Sequence, residues 1–336
     1  MVAHAMPRRI APDMKIAVTG ATGFIGSHLV EALVDKGHTV TCLVRSPDRG
    51  QILARLPVRL VYGSLDAPSA LAGLVDGQEV VVHVAGVTKA PSLPEYIRGN
   101  VRGTENLVAA IGDSSELRRF VFFSSAEGMG PSPGGRPLTE ETPQMPFSAY
   151  GKSKVMAEKC LCGLSTRVPV TVVRPPAVYG PRDKDFAILF RLVSRGIQPV
   201  VSPSPDFSVV YVKNLVAGIC RAIDRPHEGM RSYFFTDGPT TSWFDFGEMI
   251  ARALGKKPLK LRVPLFAMRG VAYAAGLLNS LTGKAGILSK DKIQEMGGSW
   301  VVSDDRARQE LDYQPAFSTE QGIVETASWY RSQGWL

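Results

Sequence analysis

Two side chains four residues apart are the first in this sequence that could do chemistry. Tyr150 and Lys154 lie in Tyr-Gly-Lys-Ser-Lys, and on a helix that spacing puts both on one face. A phenol near its ordinary pKa of about 10 is a poor acid–base catalyst in the neutral range. A neighbouring ammonium favours the phenolate and brings that pKa down. A phenol so tuned can pass a proton to or from a hydroxyl while hydride moves to or from a nicotinamide. The lysine can also grip the nicotinamide ribose. Taken alone, the pair is more often plain helix surface, so its meaning depends on what the rest of the chain supplies.

A glycine-rich turn supplies the cofactor site. Thr19-Gly20-Ala21-Thr22-Gly23-Phe24-Ile25-Gly26 joins a β-branched run at 15–19 to a helical pattern at 24–36. The first glycine allows a tight turn, the second lets the backbone approach a pyrophosphate, and the third lets the helix pack close to the sheet. The helix start then offers free N–H groups and a positive dipole end to phosphate. Thr22, Phe24 and Ile25 lie in the same turn and join the expected cofactor contacts. About 20 residues further on, an NAD site carries an acid for the ribose 2′-hydroxyl. This chain has Leu43-Val44-Arg45-Ser46 instead. Arg45 can pair with a 2′-phosphate, so NADP is expected in preference to NAD.

The elements that must position these groups alternate through the first 175 residues. Strands are expected at 15–19, 38–44, 58–62, 79–84, 119–124 and 169–173. Helices are expected at 24–36, 69–75, 94–111 and 146–164. Near-continuous Val, Ile and Phe strands between helices indicate a parallel sheet covered on both faces. The fold class is therefore α/β, a doubly wound (Rossmann) parallel sheet with a smaller, mostly helical C-terminal substrate domain. After Pro175 the rhythm changes and Pro and Gly become frequent to about 205. Strand candidates return at 208–212 and 232–236, and helices at 243–254 and 266–281. The expected division gives 14–176 plus 206–238 to dinucleotide binding and 177–205 plus 239–336 to the substrate, behind a flexible leader at 1–13.

Composition narrows the partners. The 336 residues carry a formal charge of +8, but the basic residues are scattered, without the basic stripe and interleaved aromatics of a nucleic-acid surface. Four cysteines, Cys42, Cys160, Cys162 and Cys220, match neither a zinc knuckle nor a CxxC redox pair. They suit a reducing, cytoplasmic setting. The apolar stretch 271–278 is far shorter than the roughly 18 residues a spanning helix needs. A small-molecule substrate is expected, with no nucleic acid, no integral membrane segment and no metal.

Eight ordered motifs together carry a resemblance. They are the glycine turn; Gly63-Ser64-Leu65-Asp66; His83-Val84-Ala85-Gly86; Asn100 to Asn106; Phe123-Ser124-Ser125-Ala126; Tyr150 to Lys154; Arg174-Pro175; and Tyr179-Gly180-Pro181. Nearly the whole chain resembles the extended short-chain dehydrogenase/reductase family, of the NAD-dependent epimerase/dehydratase type. The resemblance implies that Leu65 and Asp66 flank the adenine, that Ala85 and Gly86 run beside the cofactor, and that Pro175 lies near the carboxamide. It makes Ser125 the hydroxyl that holds the substrate oxygen, 25 residues before Tyr150, with Tyr150 as acid/base and Lys154 as its tuner. Ser124 then merely ends the strand. Asn100 either lies near the cofactor or caps a helix. His83 packs beside the cofactor and is not a base. Family members often form homodimers through two helices, here those around 101–111 and 150–164.

Two departures bear on the substrate. Sugar-nucleotide members carry an Asn where this chain has Ala177, and an Arg where it has Phe207. Losing both removes charge-assisted hydrogen bonds to a diphosphate. Trp243-Phe244-Asp245-Phe246, Val263 to Phe266 and the stretch 271–278 could line an apolar pocket or form the small domain's core. The closing segment from Ser303 to Pro315 resembles hydroxysteroid-dehydrogenase-like and dihydroflavonol-reductase-like members. Ser125-Ala126-Glu127 resembles the Thr-Asp-Glu of sugar dehydratases with one acid removed, leaving Glu127 to face the substrate. The expected activity is NAD(P)-dependent interconversion of a secondary alcohol and a ketone on an apolar, sterol- or flavonoid-like substrate. The alternatives are a sugar-nucleotide 4-epimerase or dehydratase, and a non-catalytic NADP-sensing protein, which would have no need of Tyr150 and Lys154.

Overall fold

A computed structural model of the chain describes residues 13–264, 294–295 and 297–336. Residues 1–12 of the expected leader, the expected helix 266–281 and its apolar stretch 271–278 lie outside the described residues. Six strands come first in the chain: β1 (Lys15–Thr19), β2 (Thr39–Val44), β3 (Arg59–Tyr62), β4 (Val80–His83), β5 (Arg119–Phe123) and β6 (Val170–Val173). They alternate with α1 (Phe24–Asp35), α2 (Pro47–Gly50), α3 (Pro68–Val75), α4 (Leu93–Tyr96), α5 (Gly103–Ile111) and α6 (Ala149–Cys160). Beyond them come β7 (Ala177–Tyr179), α7 (Phe186–Ser194), β8 (Ile197–Ser202), β9 (Asp206–Phe207), β10 (Val209–Tyr211) and α8 (Val212–Asp224). Then follow β11 (Met230–Tyr233), β12 (Thr241–Ser242), α9 (Trp243–Leu254) and β13 (Leu259–Pro264).

The central sheet has seven strands in the order β11-β6-β5-β4-β1-β2-β3, and every pairing in it is parallel. Period-2 alternation sends neighbouring residues to opposite faces, and both faces are apolar. Ile16, Val18, Val80, Val82 and Val121 enter one core, whereas Ala17, Val81, Phe120, Phe122 and Val170 enter the other. Burying each such Val or Phe favours the fold by about 1.5–3 kcal/mol. The strand order reverses between β1 and β4, which places a ligand crevice beyond their carboxyl ends.

The expected helix at 94–111 is interrupted. α4 passes into a π-helical turn, Ile97–Arg102, before α5. Gly99 leaves room for Val87, whose Cγ2 would lie 2.4 Å from an added Cβ. Asn100 is tied by its amide to the same residue. The wider turn accommodates this clasp, and such turns recur at functional sites.

The Pro- and Gly-rich stretch after β7 holds more structure than its composition suggests. It contains α7 and β8. β8 pairs in parallel with β13, β9 antiparallel with β12, and β7 in parallel with β10. The helix Thr319–Ser332 opens with a capping box from Ser318 and Gln321, and its Tyr330 hydroxyl donates to the Asp183 carbonyl at 2.7 Å. Buried Asn214 and Asp237 bind this region to the sheet. The Asn214 amide donates to Asp237 at 2.7 Å, and its oxygen accepts the N–H groups of Ala316 and Phe317 at 3.0 and 3.1 Å. Among the described residues no helix is long and apolar enough to cross a membrane.

Candidate active site

The glycine turn sits at the reversal point, and its three glycines have separate reasons. Gly20 has φ +73°, and a Cβ there would lie 2.5 Å from the Ala85 nitrogen at the end of β4. Gly26 packs over the Gly20 carbonyl, only 2.0 Å from where its Cβ would be. Gly23 is exposed and begins α1 without a side-chain cap. The first N–H groups of α1 therefore have no side-chain cap, which suits a pyrophosphate site. Thr22, Phe24 and Ile25 are half-buried around this turn. Arg45 stands exposed just past β2, and exposed Asp66 and half-buried Leu65 follow β3. The Asn106 side chain fixes the Leu65 carbonyl at 2.9 Å. The residues present fit a dinucleotide laid across the carboxyl ends of β1, β2 and β3.

A buried chain of hydrogen bonds holds the corner where β1, β4 and α5 meet. Thr19 Oγ1 lies 2.6 Å from His83 Nδ1, and His83 Nε2 lies 3.1 Å from Thr104 Oγ1. Thr104 donates to the Asn100 carbonyl at 2.6 Å, while the Ala85 N–H donates to Thr19 Oγ1 at 3.3 Å. One arrangement of protons satisfies this chain. Thr104 gives its only hydrogen to a carbonyl, so it must accept from His83 Nε2–H, which leaves Nδ1 to accept from Thr19. Burial and the Lys154 charge push His83 down to about 3, so the ring stays neutral. His83 thus ties the strand that leads into the glycine turn to α5. No sequence signal announced Thr104 as its partner.

Asn100 is not a cap. Its oxygen accepts the Val87 N–H at 2.6 Å, and its amide donates to the Val87 carbonyl and to Ser153 Oγ at 3.0 and 2.9 Å. It thereby joins the loop after β4 to α6. Gly86, on that loop, comes close to both Asn100 Oδ1 and Lys154 Nζ, 3.3 and 3.1 Å from where a Cβ would stand.

Ser125, Tyr150 and Lys154 converge beside this loop. Ser125 begins a short 3₁₀ turn; its Oγ accepts the Glu127 N–H at 3.2 Å and is hydrogen-bonded to Tyr150. Tyr150 lies in the first turn of α6, capped by Ser148, whose Oγ accepts the Gly151 N–H at 2.9 Å. Lys154 is 4% exposed. Its Nζ donates to the Phe123 carbonyl at 2.7 Å and lies 5.9 Å from the Tyr150 ring centre. Burial brings Lys154 down to about 8, opposed by Glu158.

One expectation is reversed. Tyr150 stands well above its ordinary value, not below it. Burial is the first cause and the Glu127 carboxylate the second; Tyr96 and Glu295 add to it, and the Ser125 hydrogen bond pulls against it. The Lys154 ammonium is shared with a backbone carbonyl, and desolvation of the phenolate outweighs what it offers. Glu127 itself accepts a hydrogen bond from Ser148 at 2.8 Å.

Several residues here were not foreseen. Glu158, one turn beyond Lys154, forms a buried two-pronged pair with Arg174 at 3.1 and 2.7 Å. Tyr96 packs its ring 5.9 Å from that of Tyr150. Ser124 was read as a strand end, yet its hydroxyl is buried without a hydrogen-bond partner, the sort of group a bound ligand would satisfy. Pro175 is buried and accepts the Ala126 N–H at 3.0 Å.

The substrate-side candidates fall differently. Ala177 is half-buried at the start of β7. Phe207 is 4% exposed and stacks on Trp243 with ring centres 4.5 Å apart. Phe207 and fully buried Phe246 belong to the core, while Trp243 packs against it half-buried. Half-buried Phe244 carries the Lys260 ammonium 4.8 Å above its ring. Among the described residues no group of His, Cys, Asp or Glu could hold a metal ion.

Known proteins resemble the chain in sequence and fold. A model of the NAD dependent epimerase/dehydratase family matches residues 16–233. A ceramide reductase from Caulobacter vibrioides is 30% identical, over 96% of this chain and 96% of the relative. A UDP-glucose 4-epimerase from Vibrio cholerae is 31% identical, over 93% of this chain and 94% of the relative. The crystal structure of a Bacillus cereus UDP-glucuronic acid 4-epimerase in complex with NAD superposes with a TM-score of 0.76 at 20% identity, covering 95% and 99% of the two chains, a likeness of fold. The chain belongs to the NAD dependent epimerase/dehydratase family of extended short-chain dehydrogenases/reductases and is an NAD(P)-dependent enzyme.

Proposed function

We propose that this enzyme interconverts a secondary alcohol and a ketone on a largely apolar, sterol- or flavonoid-like substrate, with NADP as cofactor and Tyr150 as acid/base. The observation that carries the substrate class is the Phe207–Trp243 stack. It puts apolar ring packing where sugar-nucleotide members of the family place an arginine for the diphosphate. A reductase of ceramide, an apolar substrate by its name, is among the relatives.

When bound, the cofactor supplies or accepts a hydride. The chain's own residues do the rest. The uncapped start of α1 and Arg45 hold phosphate, Leu65 and Asp66 flank the adenine, and Ala85, Gly86, Asn100 and Pro175 line the path to the nicotinamide. Ser125 holds the substrate oxygen, Tyr150 gives it a proton or takes one, and Lys154 grips the ribose. Glu127 and Ala177 face the substrate. α5 and α6 pack side by side, with Met156 exposed on α6, and serve as the proposed dimer face of a cytoplasmic protein.

The test is NADPH consumption against a panel of apolar ketones and, in parallel, nucleotide sugars. Turnover of an apolar ketone is expected. A second reading, sugar-nucleotide 4-epimerase, has the Vibrio cholerae relative in its favour. Tightly retained cofactor and a UDP-induced rise in melting temperature would select it instead.

A further inference from the structure

We propose that the outer face of the β8–β13 sheet is a docking surface that seats the protein reversibly on a bilayer carrying anionic headgroups. The inference rests on that surface itself and not on the reading of the substrate.

One face of this two-stranded sheet is used inside the protein. Gln198 on β8 donates to the Phe244 carbonyl of α9 at 2.9 Å. Lys260 on β13 lies over the Phe244 ring and pairs with Glu248 at 3.1 Å. Alternation sends the neighbours of these residues to the opposite face. There the register sets Leu259 beside Ile197, Leu261 beside Pro199 and Val263 beside Val201. At the start of the strands this second face is open to solvent: Leu259 is 67% exposed, Leu261 44% and Ile197 38%. Farther along, Val201 is buried, so the apolar surface emerges at one end. Single apolar side chains at a surface are ordinary, but neighbours in register make a continuous patch, and such patches mark contact with a partner or a membrane.

Cations gather at the same end. The Leu259 N–H donates to the Gly196 carbonyl at 2.8 Å. Arg195 therefore stands on the approach to one strand and Lys256-Lys257 on the approach to the other. From 249 to 264 the chain carries Arg252, Lys256, Lys257, Lys260 and Arg262 and no acid. Glu248, just before this stretch, is taken by Lys260. Arg195, Arg252, Lys256, Lys257 and Arg262 are all exposed, and none is in an ion pair among the described residues.

An apolar centre with an uncompensated basic margin matches a bilayer surface. The acyl boundary takes the leucines, and anionic headgroups take the cations. A second copy of this chain does not match, because it would bring two basic margins together. Addition of a strand from another protein is opposed by Lys260 and Arg262, since charged side chains on an edge strand resist pairing. A protein seated this way meets an apolar ketone where such a molecule dissolves.

The test is co-sedimentation of the full chain, loaded with NADPH, with vesicles of phosphatidylcholine alone and of phosphatidylcholine mixed with phosphatidylglycerol. Binding is expected on the anionic vesicles, and it should weaken as salt is raised. Replacing both lysines, Lys256→Ser with Lys257→Ser, should weaken it roughly fivefold for each cation removed. Replacing both leucines, Leu259→Ser with Leu261→Ser, should weaken it roughly tenfold or more. The melting temperature of the leucine variant should stay close to that of the parent, because those side chains already stand in water. Absence of binding, binding that ignores lipid charge, or equal binding by the parent and both variants would overturn the proposal. A leucine variant that melts as a core substitution does, or fails to fold, would show that the chain itself covers this face. An oligomer that the leucine variant dissolves would show that a second copy covers it, and either result is equally fatal. Vesicle binding without turnover of any apolar ketone would remove the substrate reading and leave the docking surface standing.

Discussion

Around Tyr150 and Lys154 side chains are held by single donors meeting single acceptors; around Phe207 they are held ring against ring. Thr19, His83, Thr104 and Asn100 form one chain in which every proton has a fixed place. Phe186, Phe207, Trp243 and Phe246 form a cluster with centre-to-centre distances from 4.5 to 6.2 Å. The first kind of contact fails when an atom is exchanged for another of the same size. The second tolerates exchange so long as volume is kept. A cofactor that does not vary suits the first, and a substrate that differs between relatives suits the second.

The largest test of the hydrogen-bonded side is Tyr150→Phe, which removes one oxygen. Turnover should fall by roughly 10²–10⁴-fold, with NADPH binding nearly unchanged by nicotinamide fluorescence. Surviving turnover would refute the acid/base role. Next, Asn100→Asp keeps the shape but gives up two donors to the Val87 carbonyl and Ser153. It should lose about 3 kcal/mol or more of stability by chemical denaturation. On the packed side, Phe207→Leu should lose only about 1.5 kcal/mol or less on the same measurement. If Phe207→Leu proves the worse of the two, the contrast between the regions is wrong.

Arg45→Ala probes a single exposed charge. It should weaken NADP about tenfold by calorimetry and leave NAD untouched; equal loss of both would remove the basis for NADP. The last test reads a slope, absent at neutral pH. His83 moves from 6.5 in the unfolded chain to about 3 in the folded one. Between those values the unfolded chain binds a proton that the native chain does not, so stability rises with pH across that window and falls as the solution is acidified. His83→Gln should flatten that part of the acid limb in a pH series of melting temperatures.

The sheet was legible because its strands are buried on both faces, and such strands must read as runs of Val, Ile and Phe. The glycine turn was legible because Gly20 and Gly26 leave no space for a Cβ. Tyr150 and Lys154 were legible from a spacing, but the sign of the tyrosine's perturbation was not. It depends on Glu127, 23 positions earlier, and on burial that no spacing encodes. The π turn at 97–102 was hidden because its cause, the clasp of Asn100 on Val87, spans 13 residues. β8 and β13 were missed for a related reason: they are partners 62 positions apart, in parallel, with Leu259 and Leu261 facing solvent. The stacking of Phe207 on Trp243 was not legible, because alignment to a motif gives an address and not an orientation.

The buried chain through His83 has one more consequence. Its imidazole N–H and the two threonine hydroxyl hydrogens can reach water only when the corner of β1, β4 and α5 opens. These protons should therefore exchange slowly and give resolved signals at low field. Their exchange rate would time the breathing of the cofactor corner from within, with no probe attached.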